Sequence, residues 1–221
     1  MTRSITRKKK LLGALTVLIL LPIGLHASVD IVARVSPPQI DLPHLARETN
    51  GDVVRSGKGF ARTRENLREV HLEGSPEEIG AEQASLLYEP MVANERIVWD
   101  GFEDVVPMGA ARLFFFDVGR VRYRNVTRNI PERYLREIAA QAGTFRPDPY
   151  ERKLPTFERM TMLHALYDIA LGFEGAPMIG CSAFVLGPKV TRDGHTLFGR
   201  AFDIELADVF DTDKAAIRRE G

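Results

Sequence analysis

The hydrophobic pattern of this chain changes near residue 180, and that change limits the folds that the chain can adopt. Before residue 180, apolar residues recur at helical spacing in several stretches. After it, apolar residues alternate with a period of two on both sides of Asp193-Gly194, a dipeptide typical of hairpin turns. We therefore predict an α+β chain in which a helical segment is followed by a β-hairpin that begins at Cys181.

Residues 1–29 have the layout of a targeting segment. Basic residues precede an uncharged stretch over 11–25, and no acidic residue comes before Asp30. The uncharged stretch is shorter than the roughly 20 residues that a spanning helix needs, and Pro22 weakens its far end. A signal peptide cleaved after Ala27, an uncleaved membrane anchor and a buried core helix remain open. The first two place the body outside the cytoplasm, exported or membrane-anchored, with membrane contact expected through residues 11–25.

The charge balance argues against nucleic acid as a partner. The chain has 30 basic and 30 acidic residues, but five of the basic ones precede residue 11. The rest is therefore mildly acidic, whereas phosphate binding needs Lys and Arg clustered on one face. Gly57-Lys58-Gly59 lacks the spacing to a following Lys-Ser/Thr pair that a phosphate loop requires. We expect neither a nucleic-acid partner nor a cofactor.

Proline, glycine and capping residues divide the middle of the chain. Residues 30–70 are rich in Pro, Gly and charge, which indicates an extended linker, and residues 71–180 are predicted to be mainly helical. Ser75, Pro76 and Glu78 predict an N-cap, a first helical residue and a capping box. This helix is expected to run to about Trp99. Further helices are predicted over Ala110 to Tyr123, from Pro131 to about Gly143, and from an N-cap at Thr156 to Gly172 or Gly175.

Two features of these helices bear on packing and function. Leu113 to Phe116 form a run so apolar that we expect it to be buried. His164 and Asp168 lie four residues apart and can share one face of a helix. A metal site requires a third ligand, and none is evident in the sequence, so an ordinary surface pair is the expectation and no metal is predicted.

Cys181 is the only cysteine of the chain, so it cannot form an internal disulfide. A free cysteine is commonly a small buried hydrophobe, and it can instead be a nucleophile. A regular two-residue hairpin turn would leave Asp203 out of register with Cys181. Because proline cannot donate to a ladder, an excursion at Gly187-Pro188 is expected, and it would bring Asp203 opposite Cys181 with Arg200 within reach.

Three stretches of the chain carry a resemblance to a known family. They are Gly180-Cys181-Ser182-Ala183-Phe184, then Asp193-Gly194 with Leu197-Phe198-Gly199-Arg200 and Asp203, and Leu72 to Gly80. They resemble, in turn, the processing site, the second strand and a pro-segment helix start of the autoproteolytic N-terminal-nucleophile cysteine hydrolases. That family includes penicillin acyltransferase and the bile-salt (choloylglycine) hydrolases. The interval from Cys181 to Arg200 is nearer to the acyltransferase-like branch.

The resemblance implies a self-processing reaction. Cys181 attacks the carbonyl carbon of Gly180, and water then splits the chain there and frees the amino group of Cys181. That amine accepts the thiol proton, so one residue supplies both nucleophile and base. Arg200 favours the thiolate, and Asp203 orients the amine or the arginine.

The resemblance also implies a fold and an activity. The fold is an αββα sandwich, with residues 71–180 as a helical pro-segment and residues 181–221 as the incomplete start of the catalytic domain. The mature enzyme would hydrolyse a linear amide, or transfer its acyl group, through a thioester. Its expected partners are a small-molecule amide and the remainder of the catalytic domain. The alternative is a non-catalytic, membrane-anchored helical module whose hairpin pairs with a partner chain.

Overall fold

The computed structural model describes residues 13, 16, 20–65, 67–171, 179–204 and 215–221, and this part of the chain is α+β, as predicted. A mixed five-stranded sheet has the strand order β1-β2-β3-β4-β7, and β5 pairs with β6 in a separate hairpin. The strands are β1 (Arg47–Asn50), β2 (Val53–Ser56), β3 (Gly59–Arg64), β4 (Leu67–Glu73), β5 (Ile179–Leu186), β6 (Leu197–Ile204) and β7 (Ala215–Glu220).

The helices follow the predicted segments, with several differences at their ends. Residues 20–32 form α1, so the cleavage site predicted after Ala27 lies within a helix. The later helices are α2 (Pro76–Leu86), α3 (Tyr88–Val105), α4 (Gly109–Tyr123), α5 (Glu132–Thr144), α6 (Thr156–His164) and α7 (Leu166–Leu171). Within the described residues, no helix combines the length and the apolar character needed to cross a membrane.

The segment interpreted as an extended linker, 30–70, contains most of an antiparallel meander. Strands β1 to β4 pair with their neighbours in chain order, and Ala61 and Val70 lie buried on one face of this sheet. The Gly and Asn residues that suggested a linker form its tight turns instead; Gly51 and Gly57 both have positive φ. The strands are short and rich in charge, and this hides their period of two.

The start of α2 confirms the capping box. The hydroxyl of Ser75 accepts a hydrogen bond from the Glu78 N–H, and the Glu78 carboxylate accepts one from the Ser75 N–H. The predicted continuous helix to Trp99 is wrong, because the chain leaves helical geometry at Leu87 and resumes as α3 at Tyr88. The break lets Leu87 pack into the core below the sheet.

The core has two parts, one on each side of α2. Between the sheet and α2 lie Ala61, Val70, Leu72, Ile79, Leu86 and Leu87. Between α2, α5 and α6 lie Val35, Ala84, Ile138, Ala139, Ala142, Phe145, Phe157 and Met160. Helix α2 is therefore the central element, covered by the sheet on one side and by α5 on the other.

The expectation that Leu113 to Phe116 are buried is wrong for most of the run. Phe114 is 63% exposed and Phe115 is 55% exposed. Phe116 alone points inward from this run to an aromatic partner, stacking on Trp99 with ring centroids 5.1 Å apart. Helix α4 thus turns an apolar face away from the body.

Strand β7 joins the sheet formed by the amino-terminal part of the chain. It runs parallel to β4, with Val70 opposite Ile217 and Glu73 opposite Glu220. The Gly74 N–H donates to the Glu220 carbonyl at 2.9 Å and extends this ladder by one bond. A segment carboxyl-terminal to Cys181 is therefore part of the sheet that covers α2.

Candidate active site

The hairpin predicted around the cysteine is present, with a different turn and a different register. Its loop covers residues 187–196, and Asp193-Gly194 lies inside it as an Asx turn in which the His195 N–H donates to Asp193 Oδ1 at 3.2 Å. A second turn is closed by the Val190 N–H, which donates to the Gly187 carbonyl at 3.0 Å. The predicted interruption at Gly187-Pro188 therefore ends β5.

The register brings Cys181 and Arg200 to one face of the hairpin. Cys181 pairs with Phe202, and Ala183 pairs with Arg200. Directly paired residues share a face, as do residues two apart on one strand, so the positions of Cys181 and Arg200 are diagonal neighbours. Diagonal neighbours lie about 7–8 Å apart, which is within reach of a long side chain.

The predicted pairing of Asp203 with Cys181 is off by one residue. Asp203 pairs with Gly180, so its position lies on the face opposite to that of Cys181. The side chains of Cys181 and Asp203 fall outside what the structure describes, and their placement here is one of strand register alone. Gly180 is thus the residue before Cys181 in the chain and the cross-strand partner of Asp203.

Aromatic and aliphatic side chains surround this site on an open hairpin. Phe184 pairs with Gly199, and a Cβ built on Gly199 would lie 2.3 Å from the Phe184 ring. The glycine therefore lets the Phe184 ring lie across β6, on the face of the hairpin opposite to Arg200. Phe184, Val185 and Phe198 are each more than half exposed, so both faces of the hairpin present apolar groups to solvent.

His164 and Asp168, the pair predicted on one helix, line a common cavity of about 480 Å³. The helix that was expected to carry both breaks at Ala165, between α6 and α7. His164 Nδ1 lies 2.8 Å from the Met160 carbonyl oxygen, which anchors the ring to its own helix. The cavity also contains the ion pair of Glu137 with Arg219, which joins α5 to β7.

A second cluster of metal-ligand types lies on the sheet. Ligand atoms of His71, Glu73 and Glu220 lie within 4.8 Å of one another. Arg218 Nη2 contacts Glu220 Oε1 at 2.5 Å, and His71 Nε2 lies 3.5 Å from Glu73 Oε2. Each of these contacts stays within one strand, the first in β7 and the second in β4, and the cluster lies where the two strands run side by side.

A group of buried charges around Arg159 forms a network that the sequence did not indicate. Arg159, 2% exposed, contacts Glu95 at 2.5 Å and Asp148 at 2.8 Å. Burial raises the pKa of Glu95, and the Trp99 and Arg159 contacts only partly offset this. Burial also acts to raise the pKa of Asp148, but hydrogen bonds from Thr156 and Arg159 outweigh it and hold that pKa below its usual value.

Thr156, which was predicted to be the N-cap of α6, is the first helical residue and donates to Asp148 Oδ2 at 2.5 Å. The helix has no side-chain cap of its own. The signal that could have found this network is Asp148, a carboxylate flanked by two prolines just before a helix. It ties the loop before α6 to the core and takes no part in the hairpin.

Comparison with protein-family models, with curated proteins and with solved structures found no match to this chain.

Proposed function

We propose that this chain is the precursor of an autoproteolytic cysteine amidohydrolase or acyltransferase, cut between Gly180 and Cys181. The observation that carries the proposal is the hairpin register, which puts the positions of Cys181 and Arg200 on one face as diagonal neighbours. A guanidinium beside a thiol favours the thiolate, which is the nucleophilic form. The residue before the cysteine is glycine, whose missing side chain leaves the carbonyl carbon open to attack.

The cut proceeds in two balanced steps. The Cys181 sulfur attacks the Gly180 carbonyl carbon, the peptide C–N bond breaks, and the thiol proton passes to the leaving nitrogen. A thioester and a free amine result. Water then adds to the thioester carbonyl, which regenerates the thiol and leaves a new carboxylate on Gly180.

The freed amine makes the new first residue a complete catalytic unit. With an ordinary pKa of about 7.7–8.0, an α-amine accepts the thiol proton near neutral pH. The thiolate then attacks the carbonyl of a linear amide, the amine leaves with the proton, and a thioester remains on Cys181. Hydrolysis of that thioester, or its transfer to another amine, completes the cycle.

Asp203 takes a role set by its register position opposite Gly180. Gly180 is the residue on the amino side of the bond that is cut, and a carboxylate can accept a hydrogen bond from an amine once that amine is free. We assign Asp203 to holding the new amino terminus and Arg200 to the thiolate. The body acts outside the cytoplasm, exported or anchored through residues 11–25.

The test is intact-mass analysis of the purified chain after incubation at neutral pH. We expect two fragments, the second beginning at Cys181 and forming a stable thiazolidine with an aldehyde, which requires the 1,2-aminothiol of an amino-terminal cysteine. Cys181→Ala abolishes the cut, and Arg200→Ala slows it more than Arg200→Lys. The matched control is Ser182→Ala on the other face of β5, which leaves the rate unchanged. A wild-type chain that stays uncut, or a cut that survives Cys181→Ala, contradicts the proposal.

The second candidate function is the helical module whose hairpin pairs with a partner chain. The observation in its favour is the exposure of Phe184, Val185 and Phe198 on both faces of the hairpin. An isolated two-stranded hairpin is marginally stable, so another sheet or strand would stabilise it. The two candidates differ at Cys181, because Cys181→Ser leaves partner binding intact in a module and removes activity in the enzyme.

A further inference from the structure

Helix α4 carries an apolar face that no other part of the described chain covers. Phe114, Val118 and Val121 follow one another at helical spacing and are 63%, 49% and 37% exposed. Phe115 and Leu113 widen this stripe, at 55% and 45% exposed. Arg120, at the edge of this stripe, is buried. An ordinary surface helix turns its apolar face to the core, whereas α4 turns an apolar face to solvent.

The turn before α4 continues the same surface. Val105, the last residue of α3, is 81% exposed, and Met108 is 69% exposed. We name the surface formed by Val105, Met108, Leu113, Phe114, Phe115 and Val118 the apolar elbow. A contiguous apolar patch of this kind marks a binding surface far more often than isolated exposed residues do.

The charged side chains of residues 105–119 contact other groups of the same chain. Between residues 105 and 119 the only charged residues are Arg112 and Asp117. Arg112 Nη1 donates to the carbonyls of Val106 and Pro107 at 3.0 and 3.1 Å. Asp117 accepts from His26 at 3.0 Å. Neither charge therefore faces outward to hold water over the apolar elbow.

Two contacts fix how α1 lies beside α4. His26 contacts Asp117, and four residues later Asp30 contacts Arg120. Since both pairs advance together along the two helices, α1 and α4 run side by side in the same direction. The residues before His26 therefore lie at the same end as the residues before Asp117.

That end is apolar on both helices. Leu20, Leu21 and Ile23 are each 59% exposed and precede His26 in α1. They belong to the carboxyl-terminal part of the uncharged stretch 11–25. Residues 20–25 of α1 thus lie at the same end of the helix pair as the first residues of α4.

We propose that the apolar elbow inserts into the interface of a lipid bilayer, beside the point where the stretch 11–25 meets the body. A bilayer fits this surface because it accepts a broad apolar face without requiring complementary shape or hydrogen bonds. Bulky aromatic residues on an amphipathic helix are typical of such interfacial contact. The inference is independent of the chemistry at Cys181, and a chain that lacks this thiol binds in the same way.

The test uses the full-length chain with Cys181→Ser, so that one new cysteine carries an environment-sensitive fluorophore. The label is placed at position 115 through Phe115→Cys, and the matched control is Phe198→Cys, an exposed phenylalanine on the hairpin. Vesicles contain phosphatidylcholine and phosphatidylglycerol, with or without acyl-chain bromination. We expect the label at 115 to shift to shorter wavelength and at least double in intensity with vesicles, and to be quenched by bromination. We expect the label at 198 to do neither.

A second set of variants separates the contribution of the elbow from any contribution of the stretch 11–25. With the label at Val118→Cys, the pair Phe114→Ser and Phe115→Ser is expected to abolish the spectral shift, whereas Phe184→Ser and Phe198→Ser leave it intact. The shift should persist at about 1 M salt, where the screening length falls to about 3 Å, because the contact is apolar.

Three outcomes would overturn the inference. The first is a label at 115 that responds no more than the label at 198. The second is a shift at 115 that appears without vesicles and grows with protein concentration, which would assign the surface to a second copy of the chain. The third is a response at 118 that is indifferent to the Phe114 and Phe115 substitutions.

Discussion

Single buried carboxylates accept hydrogen bonds from groups of this protein that are distant in the sequence. Glu82, 1% exposed, accepts hydrogen bonds from the N–H groups of Lys58, Gly59 and Glu73 at 2.8–3.0 Å. A Cβ on Gly59 would lie 2.7 Å from Glu82 Oε2. The backbone N–H groups of this glycine-rich turn thus bind an anion, which is the protein's own Glu82 carboxylate.

Asp148 provides a residue-scale prediction about pH. Its carboxylate is fully buried against Arg159, and its folded-state pKa is lowered. A group with a lowered folded pKa contributes stability that is present above its unfolded pKa, about 4, and is lost as pH falls through the folded value. Asp148→Asn is expected to cost about 3 kcal/mol at pH 7, because it leaves a buried guanidinium short of a partner.

Urea unfolding between pH 2 and 7 measures this effect. The variant should lose less stability than the wild type as pH falls below about 4. Glu95→Gln is the matched control on the same arginine. Burial raises the pKa of Glu95, so its contribution has the opposite sign and is lost as pH rises through the folded value. Equal acid sensitivity in wild type and Asp148→Asn would show that Asp148 does not carry the effect.

At the scale of elements, the packing of α2 against α5 depends on one glycine. A Cβ on Gly80 would lie 2.0 Å from the backbone oxygen of Glu137. Backbone cannot move aside as the end of a side chain can, so the two helices must separate to admit a methyl group. Since α2 lies between both parts of the core, that separation would loosen contacts to the sheet and to α6 as well.

Gly80→Ala is therefore expected to destabilise the protein by about 3 kcal/mol, at the upper end of ordinary overpacking. Gly119→Ala in α4 is the control, since no atom lies within 4 Å of its Cβ position. That change should stabilise the helix by up to about 1 kcal/mol. Thermal unfolding followed by circular dichroism compares the two. A Gly80→Ala protein as stable as the wild type would mean that the helices do not approach as closely as described.

At the scale of the whole molecule, β7 joins a late segment of the chain to the amino-terminal sheet. Its parallel ladder with β4 is supplemented by the ion pair between Arg219 and Glu137 of α5. Every residue of β7 is nonetheless exposed, as expected for an edge strand. The hydrogen bonds to β4 and the Arg219–Glu137 ion pair thus hold this strand in place, and burial of its side chains contributes little.

Arg219→Ala is expected to speed amide exchange in β7 severalfold while exchange in β3 is unchanged, since loss of a half-exposed ion pair costs about 1 kcal/mol or less. Hydrogen exchange with mass-spectrometric readout measures both strands at once. Arg218→Ala is the control, because its contact with Glu220 lies on the exposed face of the sheet edge. Uniform acceleration over the whole protein would indicate global destabilisation and contradict a local role.

Features that depend on neighbours in sequence were predictable from the chain alone. The Ser75–Glu78 capping box, the helical identity of α4 and α5, and the existence of a hairpin after Gly180 are all confirmed by the structure. Each follows from hydrogen bonds or a hydrophobic period that spans only a few residues. The identity of the proposed nucleophile likewise comes from the sequence, because there is only one cysteine.

Features that depend on distant partners were decided by the tertiary structure. The face on which Asp203 lies was set by the hairpin register, where a shift of one residue moves a position to the other side. The strands within 30–70 exist because α2 covers one face of their sheet, and the outward face of α4 is fixed by contacts with α1. The local sequence pattern specifies which helices and strands form. Strand register, packing partners and the faces left exposed depend on contacts between residues far apart in the chain, so long-range packing decides them.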